Sequence, residues 1–206
     1  MMCACRQSTQ SRAGPEPCRC NGRYIDAVGS RHDRDELLEA GVELVLEEGI
    51  AALTFGRLAK RLDISDRMVV YYFANKDVLI SEVAAVMGGR LQVILEEAFD
   101  EKAPASEMLR LAWPLLANSR VDPLMAVYFE VVGLATAKKE PFVALAATLV
   151  EGWVTWLAGR LPDGTPAERR RVAQSIIATI DGLLMVRQVC GARAANDAAR
   201  VLGVAD

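Results

Sequence analysis

The sequence predicts an all-α fold, in which a three-helix head containing a helix-turn-helix is followed by a larger helical domain. From residue 33 onward, apolar residues recur at spacings of three and four, which is typical of helices with one buried face. From about residue 104 to residue 206 we find no strand-like alternation and no hairpin turn between alternating strands. The 206 residues are 52% hydrophobic, which is enough to bury one small and one larger helical core.

The first helix of the head is predicted to begin at Asp33. Asp33 is a good N-cap, and Glu36 stands three residues later, at the spacing of a capping box. Four residues share one face of this helix: Leu37, Gly41, Leu44 and Val45. Gly49 follows the last turn and is the usual kind of residue to end a helix.

Residues 54–79 are predicted to contain two short helices joined by a tight turn. Thr54 is the expected N-cap of the first helix. The apolar residues of that helix fall at helical spacing: Phe55, Leu58, Ala59 and Leu62. Ile64 is expected to be buried between the two helices, and Ser65 to cap the second helix over residues 66–73.

This layout is that of a helix-turn-helix, whose second helix enters the major groove of DNA with its N-terminal side chains toward the bases. Asp66, Arg67 and Met68 stand at that end. Arg67 can pair bidentately with guanine. Asp66 can accept from cytosine, or can be only a favourable charge at a helix N-terminus. Val69 and Phe73 share the opposite face and should hold the helix onto the domain.

The charge distribution favours DNA binding only in this segment. The chain has a net charge of −3 and a pI near 5.4, which for the whole chain argues against a nucleic-acid partner. Residues 54–76 contain two acidic residues and five basic ones: Arg57, Lys60, Arg61, Arg67 and Lys76. Lys60 and Arg61 fit a solvated face better than direct contacts. So small a basic surface predicts modest non-specific affinity and reliance on two copies of the chain.

The same segment resembles the DNA-binding domain of the TetR family of bacterial transcriptional repressors. The matching positions are Thr54, Leu58, Ala59, Ile64, Ser65, Tyr72, Phe73, Asn75, Lys76, Asp77 and Leu79. Asp63 replaces the usual glycine of the turn, and Val70 replaces a tyrosine that typically touches a phosphate. Gly56 fills a position where the family often has arginine, and Arg57 follows it.

The resemblance implies a set of DNA-contacting residues: Thr54, Arg57, Ser65, Asp66, Arg67, Met68, Tyr71, Tyr72 and Lys76. It places a phosphate contact at Tyr72, although Tyr71 and Tyr72 could both cover the core instead. Lys76 would lie beside amide hydrogens that can also receive a phosphate. The resemblance further implies a cytoplasmic homodimer that binds a near-palindromic double-stranded DNA operator and is released from it by a small-molecule effector.

On this basis residues 31–80 form the helix-turn-helix DNA-binding domain, and residues 81–206 form the effector-binding and dimerisation domain. A long fourth helix, from residue 75 to about residue 100, connects them. Helical spacing and prolines predict five further helices, over residues 106–119, 123–139, 141–161, 166–190 and 194–202. Pro114 is expected to kink or shorten the first of these.

The helix over residues 166–190 carries more apolar surface than one face of a single domain needs. It is similar to the helix that many TetR relatives pair across a two-fold axis. With the helix over residues 194–202, it would form half of an intermolecular four-helix bundle, with Ile177, Ile180 and Leu184 at the dimer interface. The alternative is an ordinary core helix.

Large, adaptable side chains in the C-terminal part are candidates for an effector pocket. They are Trp113, Met125, Tyr128, Phe129, Trp153 and Trp156. Asn118, Glu130 and Thr136 could orient a ligand among them. Together they indicate an apolar effector, although each could equally be a core residue.

Residues 1–30 lack helical periodicity and are predicted to be a disordered tail, without a secretory signal. Four cysteines there, Cys3, Cys5, Cys18 and Cys20, could bind zinc, but their spacing is not that of the usual zinc knuckle. The arginines of the tail could instead form an arm over DNA, or the segment could be an upstream extension. We expect no metal site and no cofactor. No run of 18 apolar residues occurs, so no membrane-spanning helix is expected.

Two alternatives come from other classes of protein. A small helical enzyme would need a nucleophile and base or a metal cluster, yet the chain has one histidine, His32, and no glycine-rich phosphate loop. We therefore predict that the chain is not an enzyme. A redox-responsive or metal-responsive regulator, or an activator, on the same scaffold would differ only in the trigger or the sign of the response.

Overall fold

The computed structural model describes residues 33–96, 98–99 and 101–205. Within these residues the regular structure is helical, and there is no strand. The elements are α1 (Arg34–Glu48), a single 3₁₀ turn (Ile50–Ala52), α2 (Phe55–Leu62), α3 (Asp66–Tyr72), α4 (Lys76–Glu96), α5 (Ala105–Leu116), α6 (Asp122–Thr136), α7 (Phe142–Arg160), α8 (Pro166–Cys190) and α9 (Ala192–Val201). The predicted all-α fold is confirmed. The predicted tail, with its four cysteines, and His32 lie outside the described residues.

The helix boundaries follow the predicted ones closely, with differences at the ends. The helix Pro166–Cys190 agrees at both ends, and α4 ends at Glu96 rather than near residue 100. The helix α3 stops one residue early because Phe73 is already in extended backbone. The helix α5 continues through Pro114 and ends at Leu116.

Side-chain caps explain where the first helices begin. The Asp33 carboxylate accepts a hydrogen bond from the Glu36 amide at 2.9 Å, and the Glu36 carboxylate accepts one from the Asp33 amide at 3.3 Å, so the predicted capping box is present. Thr54 Oγ1 accepts from the Arg57 amide at 3.2 Å. These bonds satisfy amide hydrogens that a helix N-terminus otherwise leaves unpaired.

The turn between α2 and α3 is left-handed at Asp63, whose φ is 54°. Aspartate tolerates this conformation better than most residues with a Cβ, although less well than glycine. Its amide donates back to the carbonyls of α2, and the Ile64 amide donates to the Ala59 carbonyl at 3.0 Å. Ile64 is half-buried and packs on the core below, as the helix-turn-helix interpretation requires.

Two hydrophobic clusters build the described part of the chain, which forms one compact unit. The first contains the buried residues of α1 to α4 and also Val127 and Val131 of α6 and Leu145 of α7. The second joins the end of α4 to α5, α6, α7, α8 and α9. Residues from α6 and α7 therefore complete the core of the first four helices. The domain boundary at residue 80 stays a proposal.

A partly buried ion pair joins α8 to α6. Arg187 is 8% exposed, and its Nε and Nη2 donate to the two carboxylate oxygens of Asp122 at 2.6 and 2.8 Å. The Gln188 amide group donates to the Asp122 carbonyl at 2.9 Å. A bidentate arginine and carboxylate pair fixes orientation as well as distance, so it sets how these two helices cross.

By length and composition alone, α4, α7 and α8 could each cross a membrane. The expectation of no membrane-spanning helix used a different criterion and stays a prediction. It required an unbroken apolar run, whereas mean hydropathy over 18 residues tolerates the few charges these helices contain. In this structure α7 contacts α4 and α8, so the three helices contribute to one helical core.

Candidate nucleic-acid interface and effector cavity

The helix α3 is divided into a buried face and an exposed face. Val69 and Phe73 are 0% exposed and anchor it to the core of the first four helices. Asp66, Arg67 and Met68 are exposed at its N-terminal end. The side chains expected to face DNA bases are thus accessible together on a helix that the core holds in place.

Ser65 precedes α3 in extended backbone, but its hydroxyl makes no capping hydrogen bond. The Met68 amide donates to the Ser65 carbonyl instead, at 2.9 Å. The expected cap is therefore a backbone turn, and the Ser65 side chain is exposed. A hydroxyl and unpaired amides at a helix N-terminus suit an anion such as a DNA phosphate.

The basic residues of this region fall into two groups. Arg57 is paired with Glu48, and Arg61 with Glu47 and Glu43, all of them acids of α1. Hydrogen bonds from the Arg61 guanidinium lower the pKa of the Glu47 carboxyl, although both side chains remain at the surface. Ion pairs with acids compete with phosphate for the same donors.

The second group has no such partner. Within the described residues, Lys60, Arg67 and Lys76 are exposed and take part in none of the ion pairs. Lys76 opens α4, where the Asn75 side chain accepts from the Val78 amide at 2.9 Å and caps the helix. These three cations can bind phosphates or bases without first breaking an ion pair.

The two tyrosines at the end of α3 have different environments. Tyr71 is 80% exposed, whereas Tyr72 is half-buried and packs on the core. Their rings meet edge to face with 5.1 Å between centroids. Tyr72 therefore has a packing role beside any phosphate contact, and Tyr71 is the more accessible of the two.

A cavity of about 120 Å³ lies among α4, α5, α6, α7 and α8. Of the six predicted pocket residues, Met125, Tyr128, Trp153 and Trp156 line it. Its other walls are almost entirely aliphatic, from residues such as Met87 and Leu91 of α4 and Ile176 of α8. It is smaller than the roughly 300–1,000 Å³ of sites for drug-sized ligands. A sizeable effector would have to expand it.

Two of the predicted pocket residues do not line this cavity. Trp113 is only 3% exposed and belongs to the core of the C-terminal helices. Phe129 is half-buried and stacks edge to face on Tyr128 at 5.3 Å. Helical spacing could not separate these positions, because adjacent residues of one helix diverge by about 100°.

The polar group that enters the cavity is Asp181 of α8, which the sequence reasoning did not select. Tyr128 donates its hydroxyl to Asp181 Oδ2 at 2.8 Å. Burial raises the pKa of the Asp181 carboxyl, and burial together with the charge of Asp181 raises the pKa of the Tyr128 hydroxyl. The sequence does contain an indication of this role, since an aspartate in the middle of an apolar helix needs a specific environment.

The three polar residues expected to orient a ligand all have other roles. Asn118 caps a turn by accepting from the Arg120 amide at 3.0 Å, and Thr136 donates to a backbone carbonyl of its own helix. Glu130 reaches the 3₁₀ turn after α1, where its carboxylate accepts from the Ile50 amide at 2.8 Å and the Ala51 amide at 3.2 Å. The prediction that they contact ligand is not supported by this geometry.

The residues predicted for the dimer interface point into the chain's own core. Ile180 and Leu184 are 7% and 1% exposed, Ile177 is half-buried, and all three line the cavity. Ile180 and Leu184 are therefore core residues of this chain rather than interface residues, because the apolar stripe they form is covered by α5, α6 and α7. The interface role of Ile177 stays a prediction. The exposed large apolar residues of α8 and α9 are Val172, Met185, Val189 and Val201, and exposed Leu202 follows directly after α9.

Comparisons with known proteins agree with the helix-turn-helix. Residues 37–83 match the family described as bacterial regulatory proteins, tetR family. The fatty acid metabolism regulator protein of Bacillus subtilis is 35% identical over 77 residues, which are 37% of this chain and 39% of that protein. The chain therefore aligns with less than half the length of this relative.

Solved structures share the fold across most of the chain. A transcriptional regulator from Rhodococcus sp. Rha1 has a TM-score of 0.64 at 20% identity, covering 85% of this chain and 94% of that one. The multidrug binding protein EbrR, complexed with proflavin, has a TM-score of 0.60 at 21% identity, covering 82% and 96%. The expectation drawn from residues 54–79 is thereby confirmed: the helix-turn-helix in residues 37–83 is that of the tetR family of bacterial regulatory proteins.

Proposed function

We propose that this chain is a ligand-released transcriptional repressor that binds a near-palindromic DNA operator as a homodimer in the cytoplasm. The observation that carries the proposal is the exposed N-terminal half of α3, where Arg67 has no acidic partner among the described residues. Lys76 supplies a second such cation at the start of α4. The two suit a base edge and a phosphate respectively.

The DNA-binding proposal is tested with the DNA that flanks the chain's own gene. Arg67→Ala should weaken specific binding by about 1–3 kcal/mol and relax the preference at one base pair of each half-site. Lys76→Ala should weaken binding to every sequence and reduce the salt slope by about one unit. Lys139→Ala is the control and should leave binding unchanged, since Lys139 is an exposed cation outside the helix-turn-helix. An unchanged base preference in Arg67→Ala would reject its role as a base reader.

The homodimer would use the outward face of α8 together with α9. Met185 and Val189 are 52% and 79% exposed, and Val201 and Leu202 are 88% and 60% exposed. Two copies would then present their α3 helices about 34–36 Å apart, in successive major grooves. Met185→Glu with Val189→Glu should produce a monomer in sedimentation and abolish operator binding. A variant that stayed dimeric would show that the interface lies elsewhere.

The trigger would be expansion of the cavity by an effector. Ile50, in the 3₁₀ turn after α1, lines the cavity, and so do residues of α4 and α6. Glu130 of α6 holds the amides of Ile50 and Ala51. A ligand that moves α4 and α6 apart would therefore shift both supports of the helix-turn-helix and change the spacing of the two α3 helices. It would release DNA by its preference for the expanded state.

A substitution of Glu130 can test the link between ligand binding and DNA release without changing a DNA-contacting residue. EbrR binds proflavin, so proflavin is a reasonable first ligand for this chain's cavity. Glu130→Gln leaves one oxygen to accept and places an amide donor against a backbone donor, so the connection to the 3₁₀ turn weakens. We expect operator affinity without ligand within about threefold of wild type and a reduced loss of affinity on adding proflavin. Glu140→Gln, at an exposed site, is the control. An unchanged response to proflavin would reject this route.

A further inference from the structure

We propose that the cavity selects an apolar cation and that the Asp181 carboxylate is its counter-ion. This inference rests on the proposed function, because it concerns the ligand of the same cavity. Among the described residues that line the cavity, Asp181 is the one carboxylate, and none is lysine, arginine or histidine. The walls supply apolar contact, and the single acid supplies the charge preference.

The Asp181 carboxyl is held in place by a hydrogen bond, but it has no cationic partner among the described residues. Tyr128 donates one hydrogen bond to Asp181 Oδ2 at 2.8 Å, and within the described residues no lysine or arginine forms an ion pair with Asp181. Ile180 and Leu184 on the same helix are buried and also line the cavity. An ionised carboxylate in such a place is stabilised by one donor only, so an incoming positive charge gains a strong partner.

Aromatic rings line the same cavity. Trp153 and Trp156 meet edge to face with 5.5 Å between centroids. The ring of Tyr128 also lines the cavity. The Arg160 guanidinium, which donates to Glu96, already lies over the Trp156 ring at 3.8 Å. A ligand cation would therefore use Trp153 and Tyr128. Aromatic rings attract quaternary ammonium groups, and that attraction increases where water is excluded.

The same chemistry disfavours acidic ligands such as fatty acids. A ligand carboxylate would share the cavity with Asp181, and two carboxylates at close range cannot both ionise without cost. In the part of the chain that the structure describes, no basic side chain lines the cavity to offset that charge. A neutral apolar ligand would fill the walls but leave the acid without a new partner.

The test uses two probes of the same shape and different charge. Benzyltrimethylammonium is cationic, and neopentylbenzene has carbon in place of nitrogen and is uncharged. Binding is followed on purified full chain, without DNA, through the change in tryptophan fluorescence, since Trp153 and Trp156 line the cavity and the third tryptophan, Trp113, does not. We expect the cation to bind the wild-type chain at least tenfold more tightly than the hydrocarbon. Asp181→Asn should remove most of that preference while changing hydrocarbon affinity by less than about threefold.

Two further variants keep the result interpretable. Asp163→Asn removes an exposed carboxylate outside the cavity and should leave both affinities unchanged. Tyr128→Phe removes the donor but keeps the acid, so the preference for the cation should persist. If Asp181→Asn fails to fold by circular dichroism, persistence in Tyr128→Phe and a binding-linked loss of cation affinity at acidic pH in the wild-type chain decide the question.

Equal affinity of the two probes for the wild-type chain, or an equal loss of both in folded Asp181→Asn, would overturn the proposal. Operator binding is measured separately by gel shift. A chain that binds the cation but not DNA would reject the proposed function and leave this cavity assignment intact. A chain that binds and releases DNA but ignores charge would do the reverse.

Discussion

The helix-turn-helix region and the cavity region are both made of packed helices, but their cores differ in completeness. Around α2 and α3, Leu58, Val69 and Phe73 are fully buried. Between α4 and α8, by contrast, Trp153 and Trp156 are only half-buried and border an open volume. A close-packed core holds a recognition surface in one shape, whereas a core with a void can be expanded at lower cost.

The two regions also handle charge differently. The acids of α1 pair at the surface with Arg57 and Arg61, so part of the positive charge near the DNA-facing helix is already offset. In the cavity region Asp181 is enclosed, with a single hydrogen bond from Tyr128. Surface pairs are worth little and are readily exchanged for phosphate, whereas an enclosed charge strongly favours a matching ligand.

The largest expected effect is a loss of stability in the close-packed core around α2 and α3. Leu58→Ala should lower the free energy of unfolding by about 3 kcal/mol, because Leu58 is 0% exposed and its loss leaves a cavity. Leu149→Ala, at a half-buried residue that already borders the cavity, should cost less than about 1.5 kcal/mol. Urea unfolding of both variants measures the difference. Equal losses would show that the two cores are equally complete.

A smaller effect, on DNA affinity, is expected when Arg57 is freed from its ion pair. Glu48→Gln should free Arg57 and strengthen DNA binding by a few-fold at low salt, with a steeper dependence on salt. Glu39→Gln is the control, since it removes the same charge from α1 but frees Arg90 of α4. Fluorescence anisotropy at several salt concentrations gives both slopes. If both variants gained equally, the effect would be one of net charge and not of Arg57.

The smallest effect concerns the enclosed acid in the absence of ligand. Burial raises the pKa of Asp181 in the folded chain above its value in the unfolded chain. The stability contributed by its protonated form is therefore present at acidic pH and is lost as pH rises through the folded-state pKa. Asp181→Asn carries no charge at any pH, so its stability relative to wild type should increase from about pH 4 to about pH 8.

The measurement is the free energy of unfolding of the two chains across that pH range. Asp163→Asn, which removes a carboxylate at an exposed position, is the control measured beside it. A constant difference between Asp181→Asn and wild type would mean that the carboxyl titrates alike in the folded and unfolded chains.

Most of the helix-turn-helix could be predicted from the sequence because its determinants are local. Asp33 with Glu36, Thr54 and the turn at Asp63 each act within about four residues, and the structure has each of them as expected. The exposed end of α3 follows from helical spacing once Val69 and Phe73 are known to face inward. These interactions are encoded in short segments, so one sequence is enough to identify them.

The cavity depended on which faces of distant helices meet, and spacing within one helix does not determine that. Glu130 and Ile50 are 80 residues apart, and Tyr128 and Asp181 are 53 apart, yet each pair is hydrogen-bonded. The stripe with Ile180 could have faced a second chain or the chain's own core, since both bury the same apolar area. Only packing in three dimensions decided between them, because the hydrophobic effect has no direction of its own.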